Sequence, residues 1–192
     1  MGDVQDLVTG EDGIPRCGWA GTGGDYAAYH DTEWGRTLHG DDAMFERLSL
    51  EGFQAGLAWI TVLRKREAFR KAFKDFQIDA VAALTPADVE LLLTDPGIIR
   101  SRAKIESAIH NARIVRDFPE GLDAYLWNFA PPTHRRPTSF GQTPTETPES
   151  KAMAKALKKA GVKFIGPTSA YALMQATGMV DDHLTGCFRA KA

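Results

Sequence analysis

The chain has 192 residues, 43% of them hydrophobic and 25% charged, with a net charge of −2 at neutral pH. This is the balance of a globular domain able to bury a sizeable core, and it excludes a bulk polycation, so any nucleic-acid surface must be a local patch. The first residues are polar and acidic, unlike a secretory leader, and no apolar run is long enough to span a bilayer; a cytoplasmic protein with no membrane partner is expected.

Residues 1–14 are rich in Gly and Asp, lack periodicity and read as a flexible leader. Residues 15–192 read as a single all-α domain of two helical lobes. Cys17 and His30 fall on a stretch dense in Gly and aromatic residues that reads as a loop. Asp41 or Asp42 can cap a helix running through Phe45 and Leu48 to about Ala55. A second helical pattern runs from about Trp59 to Phe73, with apolar positions that fit helical spacing only loosely. Thr85-Pro86-Ala87-Asp88 starts a helix, with Thr85 as cap and Pro86 in the first turn, and Asp95-Pro96-Gly97 stops it. Ser101 caps the next helix, which carries the stripe Ile105, Ala108, Ile109, Ala112 and Val115. Leu122 to Phe129 is short and helical, and Pro131 to Thr147 is an irregular Pro/Thr-rich connection. Thr147-Pro148-Glu149 opens a helix that ends at Gly161. Pro167 to Thr177 is the last long helix, ended by Gly178. No strand alternation stands out.

Basic residues cluster in three runs: Arg64 to Lys74, Arg100 to Lys104, and Lys151 to Lys163. Runs of this kind form either solvated helix faces or nucleic-acid contacts. The second run lies at a helical hairpin of about 86–115. A tight turn at Gly97, pinned by Ile98 and Ile99, can turn backbone N–H groups and a helix N-terminus outward, where a phosphate binds, and Arg100, Arg102 and Lys104 add charge. Such a hairpin grips a DNA backbone without reading sequence. An ordinary helical hairpin fits the same residues.

The only two cysteines each have a histidine nearby, giving Cys17, His30, His183 and Cys187. Four thiolate and imidazole donors suit a closed tetrahedral zinc site, structural because no position is left for a reactive water. The alternatives are a core histidine with a buried thiol, or a disulfide. His39, His110 and His134 show no partner pattern.

Trp19, Tyr26, Tyr29 and Trp34 crowd the N-terminal third, and Glu51 and Trp59 follow in an apolar, Gly-rich stretch. A carboxylate there must find a partner or change its proton affinity. Either Glu51 pairs with a basic side chain among core aromatics, or the set is a cage in which flat faces hold a planar, preferably cationic ring and Glu51 accepts hydrogen bonds from it.

Longer stretches carry a resemblance. Arg16-Cys17-Gly18-Trp19, Tyr29-His30-Asp31-Thr32-Glu33-Trp34-Gly35, Leu50 to Leu63, Gly97-Ile98-Ile99-Arg100, Lys163-Phe164-Ile165-Gly166 and Met174-Gln175-Ala176 through Asp182-His183 resemble the bacterial 3-methyladenine DNA glycosylase I (Tag) family. The likeness covers about residues 15–188. It implies an all-helical member of the helix-hairpin-helix glycosylase superfamily, with structural zinc on Cys17, His30, His183 and Cys187. It implies a base pocket of Trp19, Tyr26, Tyr29, Trp34, Glu51 and Trp59, with Glu51 contacting the adenine, and it sets Gly56-Leu57 at the gap left by the extruded base. The chain departs from the family in a longer leader, in Ala58 where Ser is common, and in a short basic tail; none touches these positions.

The resemblance implies an enzyme that flips an alkylated adenine out of double-stranded DNA, hydrolyses its glycosidic bond and frees 3-methyladenine without cutting the strand; nothing in the sequence suggests an obligate oligomer, and a monomer is expected. Superfamily relatives usually carry a catalytic Asp after the hairpin. The nearest here, Asp117, lies at the end of the following helix, and the family also does without one. A zinc-containing damage-binding module without turnover, and a zinc hydrolase with one ligand position open, are the two rival readings.

Overall fold

The computed structural model describes residues 5–190. In chain order it runs β1 (Leu7–Thr9), β2 (Pro15–Cys17), α1 (Gly24–Thr32), α2 (Asp41–Gln54), α3 (Trp59–Leu63), α4 (Arg66–Ala72), α5 (Ile78–Ala82), α6 (Pro86–Thr94), α7 (Arg102–Val115), α8 (Leu122–Trp127), α9 (Pro148–Ala160) and α10 (Pro167–Ala176). Short 3-10 turns at Gly18–Ala20, Lys74–Phe76 and Phe140–Gln142 fill gaps between them.

α6 and α9 start by the same device. Thr85 and Thr147 each accept a hydrogen bond from the backbone three residues on, the side chain of that residue reaches back to the cap, and a proline sits in the first turn. α9 then stops where Gly161 turns left-handed at φ 100°.

Other starts depend on distant partners. Gly40, not an aspartate, precedes α2. Asp41 instead accepts from the Asp123 amide in the first turn of α8 at 2.8 Å, and Asp42 from the Ile78 amide opening α5 at 2.8 Å. The two acids expected to cap one helix therefore cap two others. Ser101 makes no side-chain cap at α7.

Three further expectations need correction. The leader is not structureless: Leu7–Thr9 pairs antiparallel with Pro15–Cys17, and the Asp6 carboxylate accepts from the Phe140 amide at 2.7 Å. Strands of three residues are too short to alternate visibly. Residues 1–4 of the leader lie outside the described residues. The stretch carrying His30 is helix α1, whose buried Ala27, Tyr29 and His30 give no apolar stripe to read. The pattern from Trp59 to Phe73 is two helices broken at Lys65, which lets Val62 share one core with Phe69 and Phe73.

α2 is the central helix, packed against α7, α8 and α10, and α9 packs on α10. Its Phe45 and Phe53 join Phe69, Phe73 and Phe76 in a chain of ring contacts 4.5–6.2 Å apart. Burying each such ring is worth about 1.5–3 kcal/mol, which fixes the helix whose far end carries Glu51.

Candidate functional site: an aromatic cavity beside a buried metal-ligand set

A cavity of about 380 Å³ opens among the turn at Gly18–Ala20, α1, the C-terminal half of α2, the start of α3, α10 and the 140–143 segment. Trp19, Tyr26, Tyr29, Trp34, Glu51 and Trp59 all line it. Trp19 meets Trp34 edge-on at 5.0 Å and Tyr26 at 5.9 Å, while Tyr29 tilts against Trp59 at 5.5 Å. The Tyr26 hydroxyl accepts from the Ile60 amide at 3.1 Å, tying α1 to the turn of α3 that carries Trp59. Its own O–H is left to donate.

Glu51 is 6% exposed and makes no hydrogen bond among the described residues. Burial raises its carboxyl to about 8, against the opposing pull of Arg47 one turn away. Arg47 does not pair with it. Arg47 and Arg66 both bind Glu33, at 2.8 and 2.6 Å, and those guanidinium contacts hold Glu33 down to about 2. Of the two outcomes open to a buried carboxylate, Glu51 takes the changed proton affinity. Three more buried polar atoms of lining residues, Trp59 Nε1, Thr143 Oγ1 and Asp182 Oδ1, form no hydrogen bond among the described residues. The cavity thus offers flat apolar walls, one carboxyl group and unspent hydrogen-bonding atoms, which suit a planar heterocycle.

The lining includes residues the sequence reading did not select: Gln54, Phe140, Thr143, Ala172, Gln175, Ala176 and Asp182. Gln54 lies three residues after Glu51 on α2 and was findable by helical spacing. Phe140 and Thr143 come from the irregular connection, where no periodicity points inward.

Cys17, His30, His183 and Cys187 come together, all buried, with one ligand atom from each within 4.8 Å of every other. His183 and Cys187 sit on a turn, not a helix, with the Cys187 amide bonded to the Leu184 carbonyl. Each imidazole uses its outer nitrogen elsewhere. His30 Nδ1 lies 2.8 Å from Asp31, itself held by Arg16, and His183 Nε2 lies 3.1 Å from the Trp34 carbonyl. With the N–H groups committed outward, the inner nitrogens face each other at 3.2 Å as lone pairs. Two lone pairs and two sulfurs converging in a dry site are stable around a cation. Without an ion the two thiols share a proton: contacts from Cys17, His183 and His30 hold Cys187 low, while the neighbouring Cys187 and burial push Cys17 up. The set can hold a metal ion.

The set also braces the cavity. Trp34 accepts from His183, and Trp19 and Trp34 contact His30 and His183 edge-on at 5.4 and 4.7 Å. Gly35, at φ 72°, leaves no room for a Cβ, which would lie 2.9 Å from His183 Nε2.

The residues expected to meet DNA divide. Gly56, at φ 77°, and Leu57, 41% exposed, form a surface turn just past α2. At the hairpin between α6 and α7, Gly97 is required by crowding: a Cβ there would lie 2.9 Å from Ala68. Its amide is taken by Asp95 at 2.7 Å, and Lys65 holds the Pro96 and Gly97 carbonyls. Ile99 and Arg100 amides have no acceptor among the described residues. Arg102 pairs with Glu90 at 2.7 Å. Lys104 donates to the Phe53 and Ala55 carbonyls at 2.9 and 2.6 Å, joining α7 to the end of α2 instead of offering a free charge. In the first basic run Arg64, Arg66 and Arg70 are likewise spent on Asp25, Glu33, Glu46 and Glu67.

These features define a helical protein with a cavity for one flat ring, clasped by a buried four-donor cluster. A family model described as methyladenine glycosylase matches residues 19–190, and the chain belongs to that family. It is 45% identical to the DNA-3-methyladenine glycosylase 1 of Escherichia coli strain K12 over 91% of this chain and 96% of that protein. A crystal structure of 3-methyladenine DNA glycosylase I superposes with a TM-score of 0.88 at 45% identity, covering 92% of this chain and all of the other. A tyrosine-to-phenylalanine variant of a 3-methyladenine DNA glycosylase I, solved in complex with 3-methyladenine, superposes with a TM-score of 0.86 at 30% identity over 91% of this chain and 96% of its own.

Proposed function

We propose that this protein is a monofunctional DNA glycosylase that extrudes an alkylated adenine from double-stranded DNA and hydrolyses its N-glycosidic bond, releasing 3-methyladenine. The observation that carries the reading is Glu51, a buried and unpaired carboxyl group in an aromatic cavity. Methylation at the adenine 3-position makes the base cationic, so its glycosidic bond is already weak. The bond electrons leave with the base, which departs neutral, and water supplies the oxygen that joins the sugar carbon while its proton goes to solvent.

In this reading Trp59, Tyr29, Tyr26, Trp19 and Trp34 hold the flipped ring. Glu51, ionised against the cationic ring, accepts from its exocyclic amine. Leu57 on its Gly56 turn fills the gap left in the duplex, and the free amides at Ile99 and Arg100 with the α7 N-terminus receive a backbone phosphate. Asp117, 73% exposed and paired with Arg116, stands outside the cavity.

We assign structural zinc to Cys17, His30, His183 and Cys187. A tetrahedral zinc with two sulfurs and two nitrogens has nitrogen–nitrogen edges of about 3.3 Å and sulfur–nitrogen edges of about 3.6 Å. The donors here are 3.2 Å apart for the nitrogens and 3.4, 3.8 and 4.0 Å for sulfur to nitrogen. With four protein donors the metal would supply folding energy to the terminal segments, not a reactive water.

The test is incubation with methylated duplex DNA and chromatography of the freed bases. Release of 3-methyladenine with intact strands is expected. Binding to alkylated DNA with no base released would identify a damage-binding module instead.

A further inference from the structure

Gln175 lines the cavity from α10, and its side-chain amide has only one way to face. Its Nε2 lies 2.7 Å from Asp182 Oδ2, which also receives the Tyr171 hydroxyl at 2.7 Å. Asp182 and Tyr171 are 3% and 2% exposed, and His134 Nε2 stands 3.0 Å from the other Asp182 oxygen. Oδ2 thus accepts two hydrogen bonds, one from the Tyr171 hydroxyl and one from the Gln175 amide. Turning the amide over would set its oxygen against Oδ2, acceptor against acceptor in a buried site. Its NH2 group is therefore locked to Asp182, and Oε1 is the end left for the cavity, with no partner among the described residues. The main chain is fixed as well, since the Gln175 carbonyl accepts from the Gly35 amide at 3.1 Å.

We propose that Gln175, held by Asp182 and Tyr171, is a specificity-determining residue that admits 3-alkylpurines with an amine at position 6 and rejects those with an oxygen there. The proposal rests on the base-binding reading above. An exocyclic amine donates to Oε1; a 6-oxo group meets it with a lone pair. Glu51 alone cannot impose that choice on a free, neutral base: with no cationic ring to hold it ionised, burial favours its neutral acid, whose O–H can bond to a 6-oxygen. The Gln175 oxygen has no proton to offer at any pH. Rejection by an unpaired buried acceptor is a stronger filter than cavity shape, since the two bases are nearly the same size.

Free 3-methyladenine and 3-methylhypoxanthine share ring and methyl group and differ in the amine or oxygen at position 6 and in one ring N–H that the oxo base adds; quenching of the cavity tryptophans reports binding of either. The wild-type protein is expected to prefer 3-methyladenine. Gln175→Leu, similar in size and without an acceptor, is expected to lower the ratio of the two affinities about tenfold. Asp182→Asn removes the rule that orients the amide, and 3-methylhypoxanthine is expected to gain affinity while 3-methyladenine still binds. This second variant leaves Gln175 in place and decides the matter if Gln175→Leu does not fold. An unchanged ratio in both variants, or equal wild-type binding of the two bases, overturns the role of Gln175 alone. Wild-type protein that binds neither base overturns the base-binding reading itself.

Discussion

Replacing Glu51 by glutamine separates what the carboxyl group does for the reaction from what it costs the fold. In the folded protein its proton affinity rises from 4.5 to about 8 because burial penalises the charged form. At about 1.4 kcal/mol for each tenfold in proton affinity, an ionised Glu51 costs the empty protein on the order of 5 kcal/mol. The sign follows from linkage. The folded state holds a proton that the unfolded chain gives up, so the stability supplied by the neutral acid is complete below about pH 4.5 and is lost as pH rises through about 8. Glutamine mimics the neutral acid at every pH. Glu51→Gln should therefore come close to the wild type in chemical denaturation at pH 4 and exceed it increasingly towards pH 9, by as much as ~5 kcal/mol, while excision of 3-methyladenine falls sharply. Other titrating groups cancel in the difference between the two proteins. A stability difference that does not change with pH, or full excision by the variant, would refute the reasoning.

Chelation should expose the terminal segments, seen as faster hydrogen exchange in β1, β2 and α1, while the Phe core around α2 persists; unchanged exchange after metal removal would contradict a structural ion. Trp59→Ala should weaken binding to alkylated DNA by ten- to a hundredfold, measured by competition, with much less effect on undamaged DNA, because stacking on one base is worth about 1–3 kcal/mol. Equal losses would deny Trp59 a stacking role. DNA affinity of the wild type should fall steeply with salt as phosphate contacts release counterions. Lys104→Ala should leave that slope almost unchanged and instead lower the denaturation midpoint, since its ammonium is committed to two carbonyls at the end of α2.

Local chemistry in the chain determined a good deal by itself. Thr85-Pro86 and Thr147-Pro148 announce helices because cap, proline and third residue lie within one turn, and both helices start there. Cys17, His30, His183 and Cys187 were legible as a set because a metal restricts residue type so strongly that two cysteine–histidine pairs stand out across the whole chain. Glu51 was legible because a carboxyl group in an apolar run needs an explanation.

What only the tertiary structure decided were the partners that side chains choose across long separations. Asp41 and Asp42 look like caps for the helix they open, yet they cap α8 and α5, because folding brings those amides within 2.8 Å. Lys104 reads as a DNA contact until α2 ends beside it. Phe140 and Thr143 enter the cavity from a connection with no period to betray them, and Gln175 becomes a fixed acceptor only once Asp182 and Tyr171 meet it. Residue type restricts the bonds a side chain can form; packing decides which of the competing donors and acceptors arrives.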